Sequence, residues 1–140
     1  MSEKKGNVYR PDDLESLVWE WGTQQFVKGE NFSLGVTVIT PGQEHAKHNH
    51  PGVEEMFYVV SGKLGVNFYY DDGEKESFEA PAGSWVHIPT GVKHDGKCIS
   101  VEPAKFLVIY SPAGPETDQL RNVPESTILE PGEKPEYTAD

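Results

Sequence analysis

Short runs of alternating or β-branched residues, separated by glycine and proline turns, recur along the middle of this chain. Residues 32–40 end at Pro41-Gly42, and residues 63–70 end at Asp71-Asp72-Gly73, a strong hairpin signal. The other runs of this series are 25–28, 45–50, 54–60, 75–79, 85–88, 97–102 and 105–110. Because no amphipathic helix of useful length interrupts them, the sequence predicts an all-β fold, an antiparallel sandwich or barrel.

The length of 140 residues fits one domain, which the composition divides into three parts. Residues 1–30 are predicted to form an N-terminal arm and the first strands, and residues 31–111 the β-barrel. Within the arm, we expect a short helical turn at 10–15 and a strand at 19–22. Residues 112–140 hold five prolines and seven acidic residues, which predicts an extended acidic tail. Residues 127–129 either pack on the barrel or on a partner subunit, and the last ten residues are either packed or disordered.

The composition excludes several classes of partner and site. The formal net charge is −11 and the basic residues are scattered, which disfavours nucleic acid as a partner. No apolar run approaches the roughly 20 residues of a membrane span, and no apolar signal segment follows the first residues, so we expect a cytoplasmic protein. The single cysteine, Cys98, excludes an intramolecular disulfide and a multi-cysteine zinc site; we expect it to be a small buried apolar residue.

The stretch from Gly42 to Gly62 contains a candidate metal site. His48 and His50 are two residues apart, so their imidazoles share a face if the run is extended. Glu55 follows the Pro51-Gly52 break and can turn back towards them; the adjacent Glu54 is the alternative carboxylate. Neutral nitrogen ligands with one carboxylate suit one divalent first-row ion, namely Fe, Mn, Ni, Co or Zn. A further ligand is expected from another part of the chain, and open positions on the ion would remain for water or substrate.

Two spaced motifs resemble those of the cupin superfamily. The first motif is a glycine, a His-x-His pair, a glutamate and a glycine, and here it is filled by Gly42, His48, His50, Glu55 and Gly62. The second motif is a glycine, a Pro-x-Gly turn and a histidine, and here it is filled by Gly83, Pro89, Gly91 and His94. Cys98 stands where the family usually has asparagine. The resemblance covers about residues 42–98 and supplies His94 as the fourth metal ligand.

This resemblance implies a jelly-roll β-barrel, also called an antiparallel double-stranded β-helix, with little helix. It implies that Phe57 and Val59, on the face of Glu55, line the barrel around the metal. Met56, Tyr58 and Val60 would then point outward and form an unusually apolar face if exposed. Since cupins often pack such sheets together, we expect a homodimer.

The resemblance leaves the reaction open, because one fold carries many functions. An enzyme of dioxygenase, decarboxylase or isomerase type is one interpretation, with a small-molecule substrate. Phe57, Phe68 and Trp85 are candidate pocket residues, and His87 and Lys93 are candidate acid–base groups. The alternative is a non-enzymatic small-molecule-binding or sensor protein, although sensor cupins usually carry a DNA-binding domain that this sequence lacks.

Overall fold

Short antiparallel strands form most of the structure. It is a computed structural model that describes residues 5–118 and 125–133. A 3₁₀ turn, Pro11–Asp13, precedes the strands, and a single turn of helix, α1 (Pro115–Asp118), follows the tenth. The strands are β1 (Ser16–Trp19), β2 (Gly22–Lys28), β3 (Ser33–Ile39), β4 (Glu44–His48), β5 (Glu54–Ser61), β6 (Lys63–Tyr69), β7 (Lys75–Pro81), β8 (Trp85–Ile88), β9 (Lys93–Cys98), β10 (Ala104–Ser111) and β11 (Thr127–Leu129). This confirms the all-β prediction.

Two antiparallel sheets face each other across the core. The larger sheet has the order β11-β1-β2-β3-β10-β5-β8, and the smaller has the order β4-β9-β6-β7. Strands distant in sequence are neighbours in both, as where β10 pairs with β3 on one side and β5 on the other. This arrangement is the jelly roll that the motifs implied.

The turns follow from local chemistry. In the β6–β7 hairpin the Gly73 amide donates to the Tyr70 carbonyl at 3.0 Å, and the Glu74 amide donates to the Asp72 carboxylate at 2.9 Å. At the β5–β6 turn Gly62 has φ +73°, and a Cβ there would lie 2.5 Å from the Pro103 carbonyl oxygen. Glycine is therefore required at position 62 both by the backbone angle and by the close approach of another segment.

The short helical turn expected at 10–15 is present as one 3₁₀ turn, Pro11–Asp13. Two strand predictions were wrong in position or extent. Residues 20–21 are not strand but the tight connection of β1 and β2, where Trp19 pairs with Gly22. The predicted strand at 97–102 lies earlier, at Lys93–Cys98, because the Ser100 hydroxyl accepts from the Lys63 amide and donates to the Glu102 carbonyl, each at 2.9 Å, and so closes a turn.

The larger sheet is apolar on both faces. Side chains of β5 alternate as expected, with Phe57 and Val59 buried inside and Met56 and Val60 exposed on the outer face. On β3 the alternation runs against the usual pattern, because Ser33, Gly35 and Thr37 face inward and Leu34, Val36 and Val38 face outward. An apolar cluster fills most of the interior, and buried Cys98 belongs to it.

The C-terminal segment packs on the chain itself. Strand β11 pairs antiparallel with β1, with Ser16 opposite Leu129 and Val18 opposite Thr127. Residues 134–140, and with them most of the last ten residues, lie outside the described residues. In the described ranges no helix has the length and apolarity that crossing a bilayer requires.

Candidate metal centre

The four predicted ligands come from three strands and a turn. His48 ends β4 and lies opposite His94 on β9, after an irregularity in the pairing of the two strands. His50 follows in the connection that turns at Pro51 and Gly52, and Glu55 is the second residue of β5. His50, Glu55 and His94 are each 2–3% exposed. The fold thus brings residues 46 positions apart in sequence, His48 and His94, side by side.

The donor atoms of these residues converge inside the barrel. One ligand atom each from His48, His50 and Glu55 lies within 4.8 Å of the others, so this trio could hold a metal ion. Glu55 Oε1 lies 3.5 Å from the Nε2 atoms of both His50 and His94. The His48 and His94 rings are 4.4 Å apart between centroids. His94 therefore adjoins the trio.

Backbone carbonyls fix which nitrogen of two histidines faces the centre. His48 Nδ1 lies 2.6 Å from the Ala46 carbonyl oxygen, and His94 Nδ1 lies 2.9 Å from that of Val92. A carbonyl oxygen only accepts, so each Nδ1 carries the proton and the neutral ring keeps its lone pair on Nε2. The buried Nε2 of His94 makes no hydrogen bond within the described residues. A buried nitrogen lone pair held this way fits a metal ion.

The electrostatics differ between the histidines. Burial, and then the charge of His94, lower the pKa of His48 to about 4. Burial by itself would lower the pKa of His94. The Glu55 carboxylate can accept a hydrogen bond from the protonated ring and attracts its charge, and together these effects raise the pKa of His94 above its ordinary value. Burial, followed by the other histidines, holds the pKa of His45 well below the usual range. His45 and His48 therefore resist protonation, whereas Glu55 favours a positive charge beside it.

A small cavity of about 20 Å³ adjoins the ligands inside the barrel. Sequence reasoning missed three of its polar wall residues, Gln24, Thr37 and Tyr110, all of them buried. Burial, followed by Glu55 and Glu116, holds the pKa of Tyr110 well above its usual range, so the phenol keeps its proton. The alternation of side chains on β2 and β3 could have identified Gln24 and Thr37, but only if the inner face of these strands had been known.

A second, open cleft of about 450 Å³ lies on the other side of the histidines. Its aromatic wall is a stack in which Trp21 lies 5.5 Å from Trp19 and 4.6 Å from His45, and His45 lies 4.1 Å from His48, all between ring centroids. His45 was not among the site residues predicted from the sequence. The stack connects the surface cleft to a candidate ligand.

The structure separates the remaining predicted site residues. Phe57 and Phe68 are buried inside, and the Phe57 ring lies 6.3 Å from that of His94. Trp85 is instead 70% exposed on the outer face of the larger sheet, so it does not line the pocket. His87 shares that outer face, where its Nε2 lies 2.6 Å from Glu54 Oε2.

Lys93 is also exposed, because inward-facing His94 follows it on β9. Strand alternation directs the side chains of His87 and Lys93, the two expected acid–base groups, away from the cluster. The same alternation directs Glu54 outward and Glu55 inward.

Comparisons with known proteins agree with this architecture. A family model described as "Cupin domain" matches residues 35–110. The chain is 29% identical over 109 residues to the oxalate decarboxylase OxdC of Bacillus subtilis, covering 74% of this chain and 28% of that protein. It is 30% identical over 116 residues to the polyketide synthase CurC of Streptomyces cyaneus, covering 83% of this chain and 70% of that protein.

Solved structures show the same fold. A mutant of B. subtilis oxalate decarboxylase superposes with a TM-score of 0.72 at 18% identity, covering 86% of this chain and 36% of that one. Another structure of that enzyme, from work on its Mn(II) centers, superposes with a TM-score of 0.69 at 20% identity, covering 86% and 36%. The chain therefore spans about a third of the length of these decarboxylase structures.

Proposed function

Because the chain belongs to the cupin family, we propose that it is a metal-dependent enzyme acting on a small organic molecule. One divalent ion would be held by His48, His50, Glu55 and His94. The observation that carries this proposal is the convergence of Glu55 with two imidazole nitrogens, each 3.5 Å away, in the buried interior of the barrel. Buried charges and lone pairs of this kind are unfavourable unless a partner satisfies them.

The donor set limits the metal and the chemistry. Three imidazoles and one carboxylate suit Mn, Fe, Co, Ni or Zn, and the Mn(II) centers of the related decarboxylase support Mn as the first choice to test. A bound ion would supply Lewis-acid or redox chemistry. The likeness to oxalate decarboxylase favours decarboxylation of a small acid, with dioxygenase and isomerase reactions as the other members of the class.

The residues around the ligands have separate tasks in this proposal. Ala46 and Val92 orient His48 and His94 through their carbonyls, so that both rings present Nε2. Phe57, Phe106 and Val108 form an apolar wall of the cavity that limits water around the site. In such a wall the polar contacts of a bound substrate are stronger than in water.

Metal analysis followed by a substrate panel tests the proposal. Purified protein is analysed by mass spectrometry for Mn, Fe, Co, Ni and Zn, reloaded with each, and assayed with oxalate, small keto acids and catechols. Carbon dioxide release and oxygen uptake are the readouts. We expect about one metal ion per chain and turnover of at least one acid, whereas His48→Ala should lose both and His87→Ala should keep both.

A chain that binds no metal would contradict the proposal. Metal binding without turnover of any compound would instead favour the non-enzymatic binding or sensor interpretation.

A larger aromatic substrate is a second candidate. The open cleft of about 450 Å³ between Trp21 and the histidines accommodates a ring system that the inner cavity cannot. The likeness to CurC over 70% of that protein favours a polyketide-type compound. Quenching of tryptophan fluorescence by a series of hydroxylated aromatic acids tests this candidate, with Trp21→Leu as the variant expected to lose the response.

We also propose that the chain forms a homodimer through the outer face of the larger sheet. Large apolar side chains are exposed there, namely Leu34, Met56, Val60, Trp85 and Ile109. Exposed apolar patches of this kind mark association surfaces. Light scattering coupled to gel filtration should give twice the mass of one chain for the wild type and a smaller mass for Ile109→Lys, whereas a monomeric wild type would contradict the dimer.

A further inference from the structure

We propose that Gln24 and Thr37 form a hydrogen-bond donor pair that binds a negatively charged oxygen of the ligand beside the metal residues. The pair would select small anions such as carboxylates. This inference rests on the proposed metal function, and it assigns a specificity role to two residues outside both sequence motifs.

The two side chains lie opposite each other on neighbouring strands. Gln24 on β2 pairs in register with Thr37 on β3, and their exposed fractions are 2% and 1%. Both line the cavity of about 20 Å³ that His48, Glu55 and His94 also line. Buried amides and hydroxyls are unfavourable in an apolar interior unless they are hydrogen-bonded, so their position in this wall requires partners.

The Trp19 indole determines which way the Gln24 amide points. Trp19 Nε1 lies 2.9 Å from Gln24 Oε1, and an indole nitrogen can only donate. The amide oxygen is therefore directed towards Trp19, and its nitrogen is directed towards Thr37. Gln24 Nε2 donates to Thr37 Oγ1 at 3.2 Å.

Gln24 and Thr37 each keep one hydrogen that these hydrogen bonds do not use. The Gln24 amide nitrogen has two hydrogens, of which Thr37 takes one. The Thr37 hydroxyl accepts that bond and keeps its own hydrogen to donate. Among the residues that the structure describes, no hydrogen bond uses either remaining hydrogen. The hydrogen bonds from Trp19 to Gln24 and from Gln24 to Thr37 polarise the Thr37 hydroxyl, which makes it a stronger donor.

A donor pair beside the metal ligands suits an oxygen anion. Hydrogen bonds to a charged acceptor are about twice as strong as neutral ones, and the apolar wall of Phe106 and Val108 preserves that strength. The size of the cavity restricts the ligand to few atoms on the inner side. A longer ligand would extend past His45, which lines both the inner cavity and the open cleft.

Anion binding to the metal-loaded protein tests the pair without relying on activity. Wild type, Gln24→Leu, Thr37→Val and Thr37→Ser are loaded with Co(II), and their metal content is measured. The Kd for oxalate and for acetate at pH 7 is then read from the visible absorption of cobalt. We expect unchanged metal content, an anion Kd raised roughly 10-fold in Gln24→Leu and Thr37→Val, and near wild-type affinity in Thr37→Ser.

Trp19→Phe provides a second test if a core variant fails to fold. It removes the donor that orients Gln24 and should weaken anion binding a few-fold while the metal stays bound. Wild-type anion affinity in cobalt-loaded Thr37→Val, or in Trp19→Phe if Thr37→Val does not fold, would overturn the donor pair. No anion binding by the cobalt-loaded wild type would also overturn it, whereas a wild type that binds no cobalt overturns the metal function itself.

Discussion

Strands β5 and β9 each direct polar side chains into the interior at one end and apolar side chains at the other. At one end Glu55 and His94 face inward together with His48 and His50, and at the other end Val59 and Cys98 face inward beside Leu64. We call the first the ligand end and the second the dry end. The dry end is mainly apolar, while the ligand end holds a carboxylate and imidazole nitrogens that a bound ion would coordinate. If the proposed metal site is correct, apolar core packing and metal binding are separated along the same strands.

The largest expected effect is the loss of a ligand at the ligand end. His50→Ala should weaken metal affinity by at least about 100-fold, because one donor of a preformed set is removed. The thermal stabilisation that excess metal gives the wild type should fall with it. Equilibrium dialysis and melting curves with and without metal measure both quantities. His87→Ala is the matched control, since this histidine lies outside; if His50→Ala kept wild-type metal affinity, the ligand end would be misassigned.

A cavity at the dry end should have the converse effect. Leu64 is fully buried, so Leu64→Ala should lower the free energy of unfolding by about 2–5 kcal/mol, from lost burial and the cavity left behind. Metal content per folded chain should not change. Urea unfolding of the metal-free protein measures the first, and mass spectrometry the second.

Val101→Ala is the control for that experiment, because Val101 is 94% exposed and its truncation should change stability by less than about 0.5 kcal/mol. A Leu64→Ala variant that folded normally and yet lost its metal would show that the two ends are not separable.

Alternation in the sequence predicted much of this division. The motif resemblance assigned Glu55, and alternation from Glu55 then placed Phe57 and Val59 on the same inner face and Glu54 on the other. The structure has this arrangement on β5. Side-chain direction alternates along a strand, so once the face of one residue is known, the faces of all the others follow.

The same rule failed where the inner face was not known. On β3 the polar side chains of Ser33 and Thr37 face inward, which a hydrophobicity pattern cannot predict because the outer face is apolar as well. Trp85 was a candidate pocket residue, yet the alternation of β8 exposes it and buries Val86 and Ile88. Gln24 was missed for a related reason, since its place beside the ligands depends on which strands are neighbours.

The pH dependence of metal binding distinguishes two histidines within the ligand end. The pKa of His48 is lowered to about 4, whereas that of His94 is raised above its ordinary value. A metal ion requires both rings to be neutral, so protons compete first at His94 as the pH falls. Metal affinity should decline by up to about tenfold per pH unit once the pH falls below the raised pKa of His94.

Metal affinities measured against a competing chelator between pH 8 and pH 5 check this order. His94→Gln should bind more weakly and show a flatter pH dependence over that range. An unchanged slope in His94→Gln would mean that another ligand binds the competing proton.

The smallest effect is expected from the glutamate next to the ligand. Glu54 is about half exposed on the outer face, and its carboxylate lies 2.6 Å from His87 Nε2. An exposed pair of this kind contributes about 0–1 kcal/mol, so Glu54→Gln should barely change the unfolding free energy and should leave metal affinity unchanged. Glu55→Gln makes the same chemical change one residue further along the strand, at a carboxylate 2% exposed and 3.5 Å from two imidazole nitrogens, and it should reduce metal affinity by orders of magnitude. Measured side by side by dialysis, equal metal loss in the two variants would place Glu54 in the site and remove the distinction between the inner and outer faces of β5.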